Sequence, residues 1–67
     1  MNLETKWLED FLELAETRNF SAAAVRRNVT QPAFSRRIRM LERSVGAELV
    51  DRGQTPIALT ESGRASA

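Results

Sequence analysis

Arginine is the residue type that could do the most chemistry in this sequence. Six arginines lie within residues 21–46, although the formal net charge of the 67-residue chain is only +1. Between positions 20 and 43 they are opposed by a single acid, Glu42, whereas both flanking segments are net acidic. A guanidinium can pair with guanine edges or with phosphates, so this segment is a candidate DNA-binding surface. Charge alone would equally allow a solvated helix face.

The residue types that most enzymes use are missing from the chain. It has no cysteine and no histidine, which excludes disulfides, thiolate metal sites and imidazole chemistry. We expect no cofactor and no metal, and the scattered carboxylates make an enzyme remote. No apolar run approaches the roughly 20 residues of a membrane span, and the N-terminus does not resemble a signal peptide. A cytoplasmic protein with one small domain over residues 1–67 is therefore expected.

The elements that would carry the arginines begin with an amphipathic first helix. At about 100° per residue, helical spacing groups four apolar residues into a core stripe. The stripe consists of Leu8, Phe11, Leu12 and Ala15. The opposite side is expected to be solvated, and its acids are Glu9, Asp10, Glu13 and Glu16. A further apolar edge, which another element could cover, consists of Leu3, Trp7 and Leu14.

Capping residues predict where the helices begin and end. Asn2 is a candidate N-cap of the first helix, and Asn19 can adopt the left-handed conformation that ends it. Ser21 suits the N-cap of a short second helix, which Asn28 would end because asparagine tolerates a positive φ. Thr30 suits the N-cap of a third helix, so the pattern is helix, short turn, helix.

The third helix is predicted to have one buried face and one outward face. Pro32 falls in its first turn, where a missing N–H group does no harm, and Gly46 ends it. The buried stripe consists of Phe34, Ile38, Leu41 and Val45. The outward face is small, polar and basic, and it consists of Pro32, Ser35, Arg36, Arg39 and Arg43.

Two short extended segments, at 48–50 and 57–59, predict a small hairpin after the third helix. Thr60 can then cap a last helix, although Gly63 stands where a capping-box acid would be. That last helix is expected to be the start of a longer linker helix that is cut short. The expected fold is mainly α, a winged helix-turn-helix of three helices and a two-stranded wing.

A helix-turn-helix reads DNA because its second helix lays its outward face into the major groove. Gln31 could pair with adenine, and Arg36 or Arg39 could pair with the O6 and N7 atoms of guanine. Pro32 and Ser35 are short enough to let the helix sit deep in the groove. The sequence therefore predicts base readout by the start and middle of the third helix.

The remaining arginines of this segment are expected to contact phosphates or water rather than bases. They are Arg26, Arg27, Arg37 and Arg43. Glu42 could pair with an arginine one turn back, and the wing would bring Arg52 and Gln54 to the backbone or minor groove. The complete set of predicted DNA-binding residues is Ser21, Thr30, Gln31, Pro32, Ser35, Arg36, Arg39 and Arg52.

A resemblance to a known family is carried by two runs, FSAAAVRRNVTQPAFSRRIRMLERSVGAELVDR and PIALTESG. Together they look like the DNA-binding end of the LysR-type transcriptional regulators of bacteria, over residues 8–63. The resemblance implies a winged helix-turn-helix that binds double-stranded DNA. It also implies that Gln31, Pro32, Ser35 and Arg36 lie in the groove.

Members of that family continue into a linker helix that pairs two subunits and then into an effector domain. The resemblance therefore implies a homodimer or dimer of dimers, with a small-molecule effector bound only by the absent domain. On this reading the chain is an N-terminal fragment of a longer regulator. The edge formed by Leu3, Trp7 and Leu14 could be where the linker helix packs.

Three positions depart from the family pattern. Arg27 stands where leucine is usual, so that edge could be solvated or packed by the arginine stem. Thr55 precedes the wing proline, where an arginine often enters the minor groove. Val50 replaces the usual phenylalanine of the first wing strand with a smaller core residue.

A protein-interaction module is the alternative function, since winged helices can bind other proteins through the same face or through the wing. An acidic third helix would favour that alternative, whereas this one is basic. DNA binding in transcription regulation is therefore the function that the sequence favours.

Overall fold

The chain folds as three helices followed by a hairpin and a short fourth helix. The computed structural model describes residues 3–67, so the N-cap predicted at Asn2 lies outside the described residues. The elements are α1 (Leu3–Thr17), α2 (Phe20–Arg26), α3 (Gln31–Val45), β1 (Val50–Asp51), β2 (Ala58–Leu59) and α4 (Glu61–Ser66). Strands β1 and β2 pair antiparallel, with Val50 opposite Leu59. The predicted architecture of three helices and a two-stranded wing is confirmed, and the wing comprises residues 50–59.

The hydrophobic core lies where α1, α2 and α3 meet, and the hairpin closes it. Its buried apolar residues are Phe11, Leu14, Ala23, Ala24, Phe34, Ile38, Leu41, Leu49, Val50 and Leu59. The rings of Phe20 and Phe34 meet edge to face with centroids 6.0 Å apart, a geometry that aromatic pairs favour. Trp7 is partly buried against this core. The core thus holds α3 in a fixed position against the other helices.

The buried face of α1 differs from the predicted stripe. Leu8 is 43% exposed and Leu12 is 45% exposed, whereas Asp10 and Leu14 are fully buried. The face that meets the core therefore runs through Asp10, Phe11 and Leu14. Placing Leu8 and Leu12 in the core and Leu14 on an uncovered edge is wrong. Relative to the prediction, α1 is rotated about its axis, so that Asp10 points inward and Leu8 and Leu12 face solvent.

The turn between α1 and α2 also differs from the prediction. The left-handed residue is Arg18, with a φ of 54°, whereas Asn19 is extended, with a φ of −146°. Asn19 is instead the N-cap of α2, because its Oδ1 accepts a hydrogen bond from the backbone N–H of Ala22 at 2.9 Å. Helix α2 therefore begins at Phe20, and the prediction of Ser21 as its N-cap is wrong.

The predicted boundaries around α3 are confirmed. Asn28 has a φ of 58° after α2, and Thr30 accepts a hydrogen bond from the backbone N–H three residues later at 3.2 Å. Pro32 lies in the first turn. Gly46 ends the helix with a φ of 73°, a conformation that glycine adopts without a Cβ clash. Val45, just before it, is 52% exposed, so its place in the predicted buried stripe is wrong.

Helix α4 is held against the residues that lead into β1. Thr60 is its N-cap, as predicted, since its Oγ1 accepts a hydrogen bond from Gly63 N–H at 3.0 Å. Gly63 is buried against the backbone of Leu49, where an added Cβ would overlap the carbonyl oxygen and lie 2.9 Å from the carbonyl carbon. This close approach explains why glycine stands where a capping-box acid would be.

Candidate nucleic-acid interface

The acidic side of α1 pairs with arginines. Asp10 is fully buried and accepts hydrogen bonds from Arg27 Nε at 2.7 Å and from Arg37 Nε and Nη2, both at 2.6 Å. The prediction that Asp10 is solvated is therefore wrong. Hydrogen bonding to Asp10 raises the pKa of Arg37 further above its usual range. One carboxylate thus ties α1 to both α2 and α3 through charge-assisted hydrogen bonds.

The arginines at the end of α2 also face acids of α1. Arg26 Nη1 lies 2.9 Å from Glu13 Oε1 and 3.3 Å from Glu16 Oε1. The hydrogen bond to Glu13 is the main reason why the pKa of Arg26 is raised. Arg27 Nη2 lies 3.4 Å from Glu9 Oε1. Of the two environments considered for Arg27, the structure shows a largely buried side chain whose head forms ion pairs.

Three of the six arginines in residues 21–46 are therefore taken up by α1. For Arg27 and Arg37 the expectation of a phosphate contact or a solvated charge is wrong, because both guanidiniums point to Asp10. The other three are exposed and form no ion pair within the described range 3–67. They are Arg36, Arg39 and Arg43. They share the outward face of α3 with exposed Pro32 and partly buried Ser35, as predicted.

Gln31 begins α3, and its side chain is held by α2. Ser21 Oγ donates a hydrogen bond to Gln31 Oε1 at 2.7 Å. The carbonyl end of the amide therefore faces Ser21, and the NH₂ end is left to donate outward. Thr30, in contrast, uses its hydroxyl oxygen to cap α3. The structure thus brings these three predicted site residues together at the N-terminal end of α3.

Glu42 connects α3 to the wing. Its Oε2 accepts hydrogen bonds from the backbone N–H groups of Leu49 at 2.8 Å and Val50 at 3.4 Å. Its Oε1 accepts a hydrogen bond from Arg52 Nη2 at 3.1 Å, so the predicted pairing with an arginine one turn back is wrong. Arg52 Cζ also lies 5.5 Å from the centroid of the Phe20 ring. The guanidinium of Arg52 is therefore directed toward α3 and α2.

The pKa of Glu42 reflects these contacts. Burial of the carboxyl raises its pKa, but the hydrogen bonds from Leu49 N–H and Arg52 outweigh burial and hold it below the usual range. Glu42 is therefore a buried, ionised acid that fixes the wing against α3.

The loop of the wing is shaped by Asp51. Its Oδ1 accepts a hydrogen bond from Gly53 N–H at 2.9 Å, and its Oδ2 accepts one from Gln54 Nε2 at 3.0 Å. These two bonds, the first being the stronger cause, lower the pKa of Asp51. The side chain of Gln54 is thus turned back toward Asp51 of β1, while Thr55 is exposed. A cleft of about 390 Å³ separates this loop from the α1–α2 turn and the start of α3.

The chemistry available to this surface is that of an anion-binding helix. Within residues 3–67, no cluster of acidic side chains is placed to hold a metal ion. None of the helices in that range has the length and apolar character needed to cross a membrane. What α3 offers is three free guanidiniums along one face, with hydrogen-bond donors at its start and a hairpin beside it. Such a face can bind phosphates and reach base edges.

Comparison with known proteins gives a family for this arrangement. Residues 5–64 match the family described as bacterial regulatory helix-turn-helix protein, lysR family. The HTH-type transcriptional regulator YjiE of Escherichia coli (strain K12) is 64% identical over 63 residues, which are 94% of this chain and 21% of that protein.

Solved structures agree with that match. The crystal structure of Vibrio fischeri DarR in complex with DNA has a TM-score of 0.92 and 71% identity, over 97% of this chain and 22% of that one. The complex of the BenM DBD with catB site 1 DNA has a TM-score of 0.87 and 34% identity, over 97% of this chain and 68% of that one. The chain spans about a fifth of the length of YjiE and DarR. The family match and these two likenesses show that the chain belongs to the lysR family of bacterial regulatory helix-turn-helix proteins, as a winged helix-turn-helix DNA-binding domain.

Proposed function

We propose that α3 lies in the major groove of duplex DNA and that its outward face reads the base edges. One observation carries the proposal: the three arginines of α3 that α1 does not neutralise, Arg36, Arg39 and Arg43, all lie on this face. A helix about 10–12 Å across fills a groove about 12 Å wide. The outward face therefore meets the bases, and the flanks of the helix meet the two phosphate backbones.

Each residue of this face has a distinct role in the proposal. Arg36 and Arg39 pair with the O6 and N7 atoms of guanine, the commonest specific contact of this side chain. Pro32 and Ser35 keep the face shallow between them, so that the helix approaches the base pairs closely. Arg43, farther from the start of the helix, binds a phosphate and positions the domain.

The start of α3 and the wing supply the remaining contacts. Because Ser21 holds the amide oxygen of Gln31, Gln31 donates from Nε2 to an acceptor such as a purine N7. Bidentate pairing with adenine would require the amide to turn away from Ser21. Thr30 fixes the direction of the helix start by capping it. Arg52 reaches the DNA backbone only with the N–H groups that Glu42 leaves free.

We further propose that residues 1–67 form the DNA-binding domain of a longer cytoplasmic regulator that works as a homodimer or dimer of dimers. The match covers only about a fifth of the length of YjiE and of DarR, and this supports the proposal. Two-fold dimers of this kind place two reading helices on half-sites one helical turn apart. A linker helix would pair the subunits, and a small-molecule effector would act through a further domain. One domain alone should bind weakly, because it engages a single half-site.

Fluorescence anisotropy with a labelled random-sequence duplex, measured over a salt series, tests the placement of α3. On a random-sequence duplex Arg36 and Arg39 meet few cognate guanines and contact phosphates together with Arg43. The slope of log affinity against log salt concentration should then be about −2.7, with affinities on the order of 10⁻⁴–10⁻⁶ M. The variant Arg36→Ala/Arg39→Ala should have a slope shallower by about 1.8. The matched control is Arg26→Gln, which removes an exposed arginine already paired with Glu13 and Glu16 and should leave the slope unchanged.

Two results would be informative. A double variant with the parent's slope would show that α3 does not enter the groove. No salt-dependent binding by the parent, even at high protein concentration, would mean that dimerisation is obligatory or that the partner is a protein. Fusing a dimerising helix to the chain separates these two explanations, because it restores DNA binding only in the first.

A further inference from the structure

Arg18 occupies a backbone conformation that favours glycine. Its φ is 54°, and it lies in the two-residue turn between the end of α1 and the start of α2. Glycine adopts the left-handed region without a Cβ clash and is the usual residue just after a helix. An arginine is a less favourable residue for the turn itself, so the reason for an arginine here lies in its side chain.

The guanidinium of Arg18 is held in place without being neutralised. Its Nε donates a hydrogen bond to the carbonyl oxygen of Ala15 at 2.9 Å, and its Nη1 donates one to that of Ile57 at 3.4 Å. It forms no ion pair with any carboxylate of the described residues, unlike Arg26 and Arg27. The two carbonyls therefore orient a full positive charge, and the rest of its donor fork is free to bind.

Arg18 lines the cleft of about 390 Å³ that lies between the α1–α2 turn, the start of α3 and the wing loop. Among the described residues, no other charged side chain lines the cleft. Its polar lining includes Gln31, Gln54 and the exposed Thr55, all uncharged. Arg18 therefore gives the cleft its one lining charge among the described residues, a cation without an ion-pair partner there, although Asp51 lies behind Gln54.

The position of the cleft relative to α3 indicates which anion it would meet. Gln31 belongs both to the cleft and to the first turn of α3. With α3 filling the major groove, the cleft opens on a flank of the helix and so faces one phosphate backbone. The wing loop also lines the cleft, so on this placement of α3 we expect the DNA strand between the groove and the wing to run past Arg18.

We propose that this cleft seats a phosphodiester group of bound DNA, with Arg18 as its cation and the hydroxyl of Thr55 as a neutral donor. The site rests on the proposed function, because it requires α3 in the groove. An uncharged donor releases no counterions, so Arg18 alone adds to the salt dependence. The slope of the parent on a random-sequence duplex then becomes about −3.6 instead of about −2.7.

The test compares salt series for the parent, Arg18→Gly and Arg18→Lys. Glycine suits the left-handed backbone and removes the cation, so the slope should become shallower by about 0.9. Between about 50 and 200 mM salt, Arg18→Gly should lose about 3.5-fold less affinity than the parent. Arg18→Lys keeps the charge and should keep the parent's slope. Arg26→Gln, in which the lost arginine is already paired, is the control, and thermal unfolding by circular dichroism verifies that each variant is folded.

The outcomes separate this site from the proposed function. If Arg18→Gly binds DNA with the parent's slope, the phosphate site is overturned, Arg18 is only a tether between α1 and the wing, and α3 in the groove still stands. If the parent shows no salt-dependent binding even with a fused dimerising helix, the proposed function fails and this site fails with it.

A second arm distinguishes the DNA backbone from free phosphate. Inorganic phosphate replaces chloride at equal ionic strength. A larger loss of DNA binding in the parent than in Arg18→Gly means that free phosphate competes with the DNA backbone for the cleft, which supports the site. Phosphate binding that depends on Arg18 but leaves the DNA affinity unchanged would mean that the cleft holds free phosphate away from the DNA, which would overturn the assignment to the DNA backbone.

Discussion

Replacing Asp10 with asparagine should remove most of the stability of this domain. Asp10 is fully buried and holds the guanidiniums of Arg27 and Arg37, whose side chains are each 25% exposed. Asp10→Asn keeps the shape of the side chain but leaves Arg37 without a counter-charge and leaves Arg27 with only the partly exposed Glu9 at 3.4 Å. Removing one partner of a buried ion pair costs about 3–5 kcal/mol. The partial exposure of both arginines places this variant near the lower end, at about 3 kcal/mol.

This loss is large for so small a chain. A domain of this size with no disulfide has a total stability of about 3–5 kcal/mol, so Asp10→Asn should be only marginally folded at room temperature. Its thermal midpoint, measured by far-UV circular dichroism at neutral pH, should fall by at least about 12 °C. The matched control is Glu16→Gln, which removes a 73% exposed partner of Arg26 and should melt with the parent. An Asp10→Asn midpoint within a few degrees of the parent's would refute the reasoning.

Removing all three charges together should restore much of the stability. The variant Asp10→Leu/Arg27→Leu/Arg37→Leu removes the buried charges together and leaves only Glu9, whose side chain is 43% exposed, without its partner. Apolar replacement of buried ion networks is often neutral or stabilising. Its midpoint should lie well above that of Asp10→Asn. A midpoint as low as that of Asp10→Asn would instead assign the loss to altered packing.

Two further predictions concern the attachment of the wing. Gly63→Ala should destabilise the fold by about 1–3 kcal/mol, because the added Cβ would overlap the Leu49 carbonyl group. The control is Gly53→Ala, whose Cβ would meet only a side-chain oxygen of Asp51 at 3.3 Å. Equal melting midpoints for the two variants would contradict this. The pKa of Glu42 is lowered from 4.5 by folding, so its contribution to stability is complete above the unfolded pKa and is lost as pH falls through the folded pKa. Urea unfolding between about pH 6 and pH 3 should therefore vary less with pH in Glu42→Gln, and identical profiles would contradict the assignment.

The boundaries and outward face of α3 could be predicted because local interactions determine them. Thr30 caps the helix through a backbone group three residues away, and Gly46 ends it through its own φ of 73°. Capping and the helical repeat depend on only a few neighbouring residues. The same repeat places Pro32, Arg36 and Arg39 outward, and all three are exposed.

Contacts between helices could not be predicted from such local signals. The spacing of α1 groups Asp10 with its other acids, and only the meeting of three helices shows that two arginines converge on it. One signal was available: Arg37 lies about 60° from Phe34 on the wheel of α3, close to the buried stripe. The N-cap of α2 was ambiguous in another way, since Asn19 and Ser21 have similar capping preferences. In the structure Asn19 is the cap, and Phe20, the first residue of α2, packs edge to face against Phe34 of α3.

The pairing of α1 with arginines explains how a chain of net charge +1 can belong to a DNA-binding family. Attraction to phosphates is independent of sequence, so arginines spread over several faces would hold DNA in several orientations. Helix α1 neutralises Arg26, Arg27 and Arg37, and the unpaired arginines of the 21–46 segment then lie on one face of α3. If α3 lies in the major groove as proposed, this charged face favours the one orientation in which the helix meets the base edges. On that proposal the acids of α1 contribute to DNA recognition by removing positive charge from other faces of the domain.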